Sequence, residues 1–135
     1  MKIYFAGSIS GGRDDKEVYL EIISLLKGYG EVLTEHIGDS EMTSDGEDLP
    51  DDFIYERDMG WLRSSDVIVA EVSTPSLGVG YEIASAFDLN KKILCLYHEG
   101  SPKKVSSMLT GNKNLLVKNY KTTQDLPEIL REFFQ

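Results

Sequence analysis

The chain has 135 residues, of which 41% are hydrophobic, so it can fill one core but not the cores of two ordinary domains. Its formal net charge of −9 argues against nucleic acid or an anionic membrane as the main partner. The longest apolar runs fall far below the roughly 20 residues that a membrane span requires. We therefore expect a single cytoplasmic domain over residues 1–135.

Five short apolar runs alternate with helical patterns along the chain. The predicted strands are residues 2–6, 32–34, 66–72, 93–97 and 115–118. The predicted helices are residues 14–26, 51–63, 78–89, 101–109 and 127–134. Strands that alternate with helices imply right-handed crossovers and a parallel sheet covered on both faces. We therefore predict an α/β fold, a flavodoxin-like (Rossmann-like) three-layer α/β/α sandwich with a five-stranded parallel sheet of order 2-1-3-4-5.

The few cysteine and histidine residues argue against a metal site. Cys95 lies inside an apolar run, so we expect a small buried side chain with no catalytic role. His36 and His98 are far apart in the sequence, and the acidic stretch 45–52 lacks the alternation of a calcium loop. We predict neither a metal nor a cofactor.

Two glycine-containing loops follow the first and third predicted strands. In sheets of this kind ligands bind where the winding direction reverses, which here lies between these two strands. Ser8 and Arg13 belong to the first loop, and Ser76 precedes the helix after the second. Hydroxyls, backbone N–H groups and a guanidinium at two helix N-termini suit a phosphate, although each serine could equally be a helix cap.

Two acidic residues are the candidates for chemistry. Glu82 follows two glycines near the start of a helix, where we expect the helix dipole to favour its ionised form. Asp58 lies on the apolar stripe of its own helix, where a carboxylate needs a partner or a cavity, and we expect Arg57 and Arg63 to point elsewhere. Two such carboxylates match the cleavage of a glycosidic bond by a nucleophile and an acid. A helix-start residue and a buried ion pair are the alternative interpretations.

Two aromatic residues and a histidine lie near the predicted crevice. Tyr4 is expected to orient an acid or to contact a sugar, whereas Tyr81 is interpreted as an amphipathic core residue. His36 follows the second strand, where it could contact a base or lie exposed at the edge of the sheet.

The chain resembles a known family in several of these segments. They are residues 4–9, the Gly11-Gly12-Arg13 turn, residues 33–36, residues 58–61, the strand 66–72 and the string 75–82. These segments are similar to 2′-deoxynucleoside 5′-phosphate N-hydrolases of the nucleoside 2-deoxyribosyltransferase superfamily. The resemblance covers almost the whole chain, and the string Ser-Leu-Gly-Val-Gly-Tyr-Glu is specific. It implies that a 2′-deoxynucleoside 5′-monophosphate is hydrolysed to 2-deoxyribose 5-phosphate and a free base.

The resemblance also implies a role for each site residue. Glu82 would attack C1′ of the deoxyribose, Asp58 would position it or protonate the departing base, and Tyr4 would hold the nucleophile. The implied substrate-binding residues are Gly7, Ser8, Ile9, Ser10, Gly11, Gly12, Arg13, His36, Ser76, Gly78, Ser106 and Met108. Ser106 would come from the second subunit of a homodimer, and His36 would lie beside the base. Where the family has an arginine in the phosphate loop, this chain has Ser10.

Other functions remain open at this point. A deoxyribosyltransferase would pass the sugar to a second base, which a product analysis with added base distinguishes. A non-catalytic nucleotide-binding domain would bind a monophosphate without releasing a base. A phosphoribohydrolase of the cytokinin-activating type is disfavoured because its Pro-Gly-Gly sequence before the catalytic helix is absent.

Overall fold

A computed structural model describes residues 1–8, 15–34 and 48–135 of the chain. The strands in these ranges are β1 (Lys2–Ala6), β2 (Glu31–Val32), β3 (Val67–Glu71), β4 (Lys92–His98) and β5 (Leu116–Tyr120). The α-helices there are α1 (Lys16–Leu26), α2 (Asp51–Ser64), α3 (Leu77–Asp88), α4 (Ser107–Thr110) and α5 (Leu126–Phe133). Among these described helices, none combines the length and the apolar character needed to cross a membrane.

The strands form one parallel sheet of order β2-β1-β3-β4-β5, which confirms the predicted topology. β1 and β3 are neighbours, with Tyr4 opposite Ile68 and Ala6 opposite Ala70. All five residues of β3 are buried, as expected for a central parallel strand covered on both faces. The reversal of winding therefore lies between β1 and β3, where the sequence predicts the site.

Strand β1 contributes to two separate cores because successive side chains of a strand point to opposite faces. Ile3 and Phe5 pack in the core under α1 and α5. Tyr4 and Ala6 pack in the other core, which α2 and α3 cover. This alternation places the Tyr4 side chain on the same face as the two acidic candidates on α2 and α3.

Most element boundaries differ from the prediction by one or two residues, and the helix expected over 101–109 differs most. It begins only at Ser107, after Ser106, whose hydroxyl caps it by accepting the Met108 N–H at 3.2 Å, while the Ser101 N–H donates to the His98 carbonyl at 3.0 Å in a turn that ends β4. Strand β2 ends at Val32 rather than at Thr34. The Thr34 hydroxyl donates to the Phe5 carbonyl at 2.6 Å and accepts the Phe5 N–H at 2.8 Å. A side chain thus replaces the backbone ladder at this point.

Candidate active site

Glu82 and Tyr4 meet at the carboxyl edge of the central strands. Tyr4 is 1% exposed, and its hydroxyl donates a hydrogen bond to Oε2 of Glu82. Burial, followed by the charge of Glu82, raises the pKa of Tyr4 far above its usual value, so the phenol stays protonated and remains a donor. The contact joins a strand to a helix across 78 positions of sequence.

The environment of Glu82 makes its carboxyl a weaker acid, contrary to the prediction. Glu82 lies beyond the first turn of α3, so the helix N-terminus stabilises its carboxylate little. The pKa of Glu82 is raised to about 7 because burial and, less strongly, the charge of Asp58 outweigh the Tyr4 hydrogen bond, which lowers it. A carboxyl with this pKa changes its charge near neutral pH, which is a property common among catalytic acids and nucleophiles.

Asp58 lies on α2 within electrostatic reach of this pair, since its charge raises the pKa of both Glu82 and Tyr4. The expectation that Arg57 points away from it is wrong. Arg57 contacts Oδ1 of Asp58 through Nε at 3.0 Å and through Nη2 at 2.9 Å. The site therefore combines two carboxyls, a phenol and a guanidinium.

Gly7 and Ser8 form the described end of the first loop, and both are buried. A Cβ atom on residue 7 would lie 2.8 Å from the Tyr19 ring, so only glycine fits there without a shift of that ring. The Ser8 N–H donates to the Tyr19 hydroxyl at 2.9 Å. Tyr19, which the sequence prediction missed, thereby shapes the loop where it leaves β1.

Ser76 and two glycines begin α3. The Ser76 hydroxyl accepts the Val79 N–H at 3.3 Å and so caps the helix. A hydroxyl that accepts one hydrogen bond still has its own hydrogen to donate. Among the described residues, a Cβ atom on Gly80 would meet nothing within 4 Å, and one on Gly78 would meet only the Ser76 hydroxyl at 3.8 Å. Packing within the part of the chain that the structure describes therefore does not require either glycine.

A groove of about 870 Å³ lies between α3 and α4. Its lining includes Ser76, Leu77, Gly80, Ser106 and Met108. Leu77 is 96% exposed and Met108 is 82% exposed, although both are large apolar side chains. Ser106, Met108 and Ser76 of one chain therefore line the same groove. Its lining does not include the catalytic candidates Tyr4, Asp58 and Glu82.

Several predicted binding residues lie outside the described part of the chain. They are Ile9, Ser10, Gly11, Gly12 and Arg13 of the first loop and His36 after the second strand. Within the described ranges, no group of three or more His, Cys, Asp or Glu side chains is arranged to hold a metal ion.

Glu71 is a buried carboxyl that the sequence prediction also missed, although an acidic residue in a continuous apolar strand could have indicated it. It is 1% exposed and accepts the Ser73 N–H at 2.7 Å, the Ser73 hydroxyl at 2.9 Å and the Tyr120 hydroxyl. Ser73 in turn accepts the His98 N–H at 2.8 Å. The network fixes the turn between β3 and α3 against β4 and β5.

Tyr81 is not a core residue, contrary to the prediction. It is 55% exposed, and its hydroxyl lies 3.4 Å from that of Tyr55 on α2.

Cys95 is buried as predicted, and burial raises the pKa of its thiol to about 12.

The sequence of the chain is similar to those of known proteins. The sequence model of the nucleoside 2-deoxyribosyltransferase family matches residues 3–125. The chain belongs to this family. It is 51% identical over 98% of its length to a Nematostella vectensis protein provisionally named 2′-deoxynucleoside 5′-phosphate N-hydrolase 1, 93% of which is covered. It is also 49% identical over 100% of its length to the 5-hydroxymethyl-dUMP N-hydrolase of Esox lucius, 97% of which is covered.

A solved structure of the family fold supports the same architecture. The CMP N-glycosidase of Clostridium botulinum superposes with a TM-score of 0.68 and 19% identity over 98% of this chain and 99% of that protein. At this identity the likeness shows the fold alone.

Proposed function

We propose that this chain hydrolyses the N-glycosidic bond of 2′-deoxynucleoside 5′-monophosphates. The observation that carries the proposal is the Glu82 carboxyl, which is held by Tyr4, flanked by Asp58 and placed where the sheet reverses its winding. Family relatives that are about half identical to this chain are named as hydrolases of such nucleotides. A carboxyl with a pKa near neutrality beside a second carboxyl is an arrangement common in catalytic sites.

The reaction proceeds in two displacements at C1′ of the deoxyribose. The ionised Glu82 oxygen forms a bond to C1′ while the bond to the base nitrogen breaks, and Asp58 delivers a proton to the departing base. Water then attacks C1′ of the glycosyl ester and gives one proton to the Asp58 carboxylate. The bond between C1′ and Glu82 breaks, which restores the Glu82 carboxylate and the protonated Asp58 and releases 2-deoxyribose 5-phosphate. All groups come from the chain, the substrate and water, so the mechanism uses no cofactor or metal.

Tyr4 has two tasks in this mechanism. Its hydroxyl holds one oxygen of Glu82, so that the carboxylate approaches C1′ in one orientation. Because its ring is packed in the core under α2 and α3, it is also a fixed wall beside the sugar. We propose that this wall excludes a 2′-hydroxyl and so selects deoxyribose.

The 5′-phosphate is assigned to the two loops at the reversal point. Gly7 and Ser8 form the buried base of the first loop, and the Ser76 hydroxyl retains a hydrogen to donate. Backbone N–H groups at the start of α3 add further donors. We propose that the first loop, with residues 9–12 and the guanidinium of Arg13, completes the phosphate site, and that His36 lies beside the base.

We further propose that the active form is a homodimer. The exposed apolar side chains of Leu77 and Met108, beside the unoccupied space around Gly80, are typical of a surface that a second subunit covers. Ser106 lines this groove, whose lining does not include Glu82, Asp58 or Tyr4, and we propose that it contacts the substrate bound by the partner subunit. A cytoplasmic location is supported by the free, buried thiol of Cys95.

A substrate panel tests the activity. The four common deoxynucleoside monophosphates, 5-hydroxymethyl-dUMP, the matching ribonucleotides and unphosphorylated nucleosides are incubated with the protein, and the free base is measured by chromatography. Release from the deoxynucleoside monophosphates alone is expected, and Glu82→Ala should abolish it while the circular dichroism spectrum is retained. Full activity of Glu82→Ala would overturn the proposal.

Two further measurements separate the alternatives and the steps. Added second base should leave the product unchanged, whereas a transferase would form a new nucleotide. Acid-quenched protein should carry deoxyribose phosphate on the peptide that contains Glu82, detected by mass spectrometry.

For the dimer, a mixture of Glu82→Gln and Ser106→Ala subunits should be more active than either variant alone, because one site of each mixed dimer has both residues.

A further inference from the structure

Arg57 takes an unusual path across α2. Neighbouring residues of a helix point about 100° apart and do not normally contact each other. Nevertheless both Nε and Nη2 of Arg57 reach Oδ1 of Asp58, at 3.0 and 2.9 Å. The side chain must therefore turn sideways from its own row on the helix to the row that Asp58 occupies.

Two aromatic rings hold Arg57 in this position. Phe53 and Trp61 lie four residues before and four residues after it, on the same row of the helix. The guanidinium carbon lies 4.8 Å from the centroid of the Trp61 ring and 5.9 Å from that of Phe53. A cation between two rings is stabilised along its faces, which leaves the N–H edge to bond the carboxylate.

The ion pair is partly withdrawn from solvent and lies beside the catalytic candidates. The side chains of Arg57 and Asp58 are 19% and 25% exposed, so water screens their charges less than at an open surface. The charged and titratable groups that the described residues place around Glu82 are Tyr4 from β1 and Asp58 from α2. Around Tyr4 they are Glu82, Asp58 and Arg57.

We propose that Arg57 is a positioning residue of the hydrolase, which orients the carboxyl of Asp58 and, whenever Asp58 is ionised, offsets its negative charge beside Glu82. The inference rests on the function proposed above. Loss of the guanidinium would remove a positive charge beside the ionised Asp58 and make ionisation of the nucleophile less favourable. Asp58 would also lose the fork that directs it, so the proton would reach the departing base from a less defined orientation.

The charge effect is measured directly on Glu82. The ¹³C signal of its carboxyl carbon is titrated in glutamate-labelled protein, a readout that does not depend on turnover. Arg57→Gln should raise the pKa of Glu82 by about 0.5 to 1 unit, because loss of a nearby positive charge disfavours ionisation. Arg57→Lys, which keeps the charge, should stay close to the wild type. Arg63→Gln on the same helix is the matched control and should cause no shift.

The activity of the same variants separates charge from orientation. On the acidic side of the pH profile, Arg57→Gln should be slower by roughly 3- to 10-fold, the factor that a shift of 0.5 to 1 unit produces. Arg57→Lys should have the same acidic limb as the wild type. Its kcat at the alkaline plateau should remain below the wild-type value, with KM little changed. If Arg57→Gln does not fold, this difference between Arg57→Lys and the wild type decides the question.

Asp58→Asn tests whether Arg57 acts through Asp58. In that background, Arg57→Lys should cause no further fall in kcat, because the side chain that the guanidinium orients no longer carries the proton. A further fall in kcat, or an unchanged Glu82 titration in Arg57→Gln itself, would overturn the inference. If the wild type releases no base although the titrations shift as described, the proposed function fails while the charge coupling stands.

Discussion

Replacement of Glu82 by glutamine should remove activity and stabilise the fold at alkaline pH. The pKa of Glu82 rises from its ordinary 4.5 to about 7, chiefly because of burial. The native state therefore binds this proton more tightly than the unfolded chain, and the free energy of unfolding falls as the pH rises through the window between these values. At about 1.4 kcal/mol per pKa unit, the complete loss is at most about 3 kcal/mol.

Glutamine has no charge to bury, and its amide oxygen can still accept the Tyr4 hydrogen bond. The free energy of unfolding is measured with urea for both proteins at about pH 5, near the lower end of this window, and at about pH 8.5, above it. The advantage of Glu82→Gln should grow by about 2 kcal/mol between the two conditions, since the other titrations are common to both proteins. A constant difference would show that Glu82 is ionised without cost and would refute the reasoning.

Three more changes test separate parts of the structure. Tyr4→Phe removes the hydrogen bond that lowers the pKa of Glu82, so the acidic limb of the activity profile should move to higher pH, whereas Tyr97→Phe should leave it in place. Tyr120→Phe deprives the buried Glu71 of one donor and should lower the free energy of unfolding by about 1 to 3 kcal/mol, measured with urea. Gly80→Ala should raise that free energy by about 0.5 to 1 kcal/mol in the monomer, yet weaken self-association in sedimentation experiments. A Gly80→Ala protein that dimerises as before would contradict the assigned interface.

The order of the strands could be predicted because it depends on a repeated local pattern. Short β-branched runs separated by helical periodicity leave few topologies, and the observed sheet is the predicted one. The ends of the elements were predicted less accurately. After β2 the Thr34 hydroxyl bonds Phe5 in place of the backbone, and after β4 the Ser101 N–H donates within a turn.

The candidate site could be predicted only in part. Glu82, Asp58 and Tyr4 were identified as candidates by position and by resemblance, but the ionisation of Glu82 depends on burial between elements that sequence spacing does not measure. The contact of Arg57 with Asp58 also escaped prediction, because helix geometry alone directs adjacent side chains apart. Tyr19 was missed because the predicted apolar stripe of its helix was drawn through the neighbouring Val18. Its contact with Gly7 is a tertiary one, which a helical pattern does not indicate.

The bond between Tyr4 and Glu82 also bears on how the chain reaches its native state. It joins groups 78 positions apart, and it can form only after β1 has paired with β3 and α3 has docked. Such non-local closure is slow compared with helix formation. Recovery of catalysis after dilution from denaturant should therefore lag behind recovery of the helical signal, and turnover becomes a probe of the last step of folding.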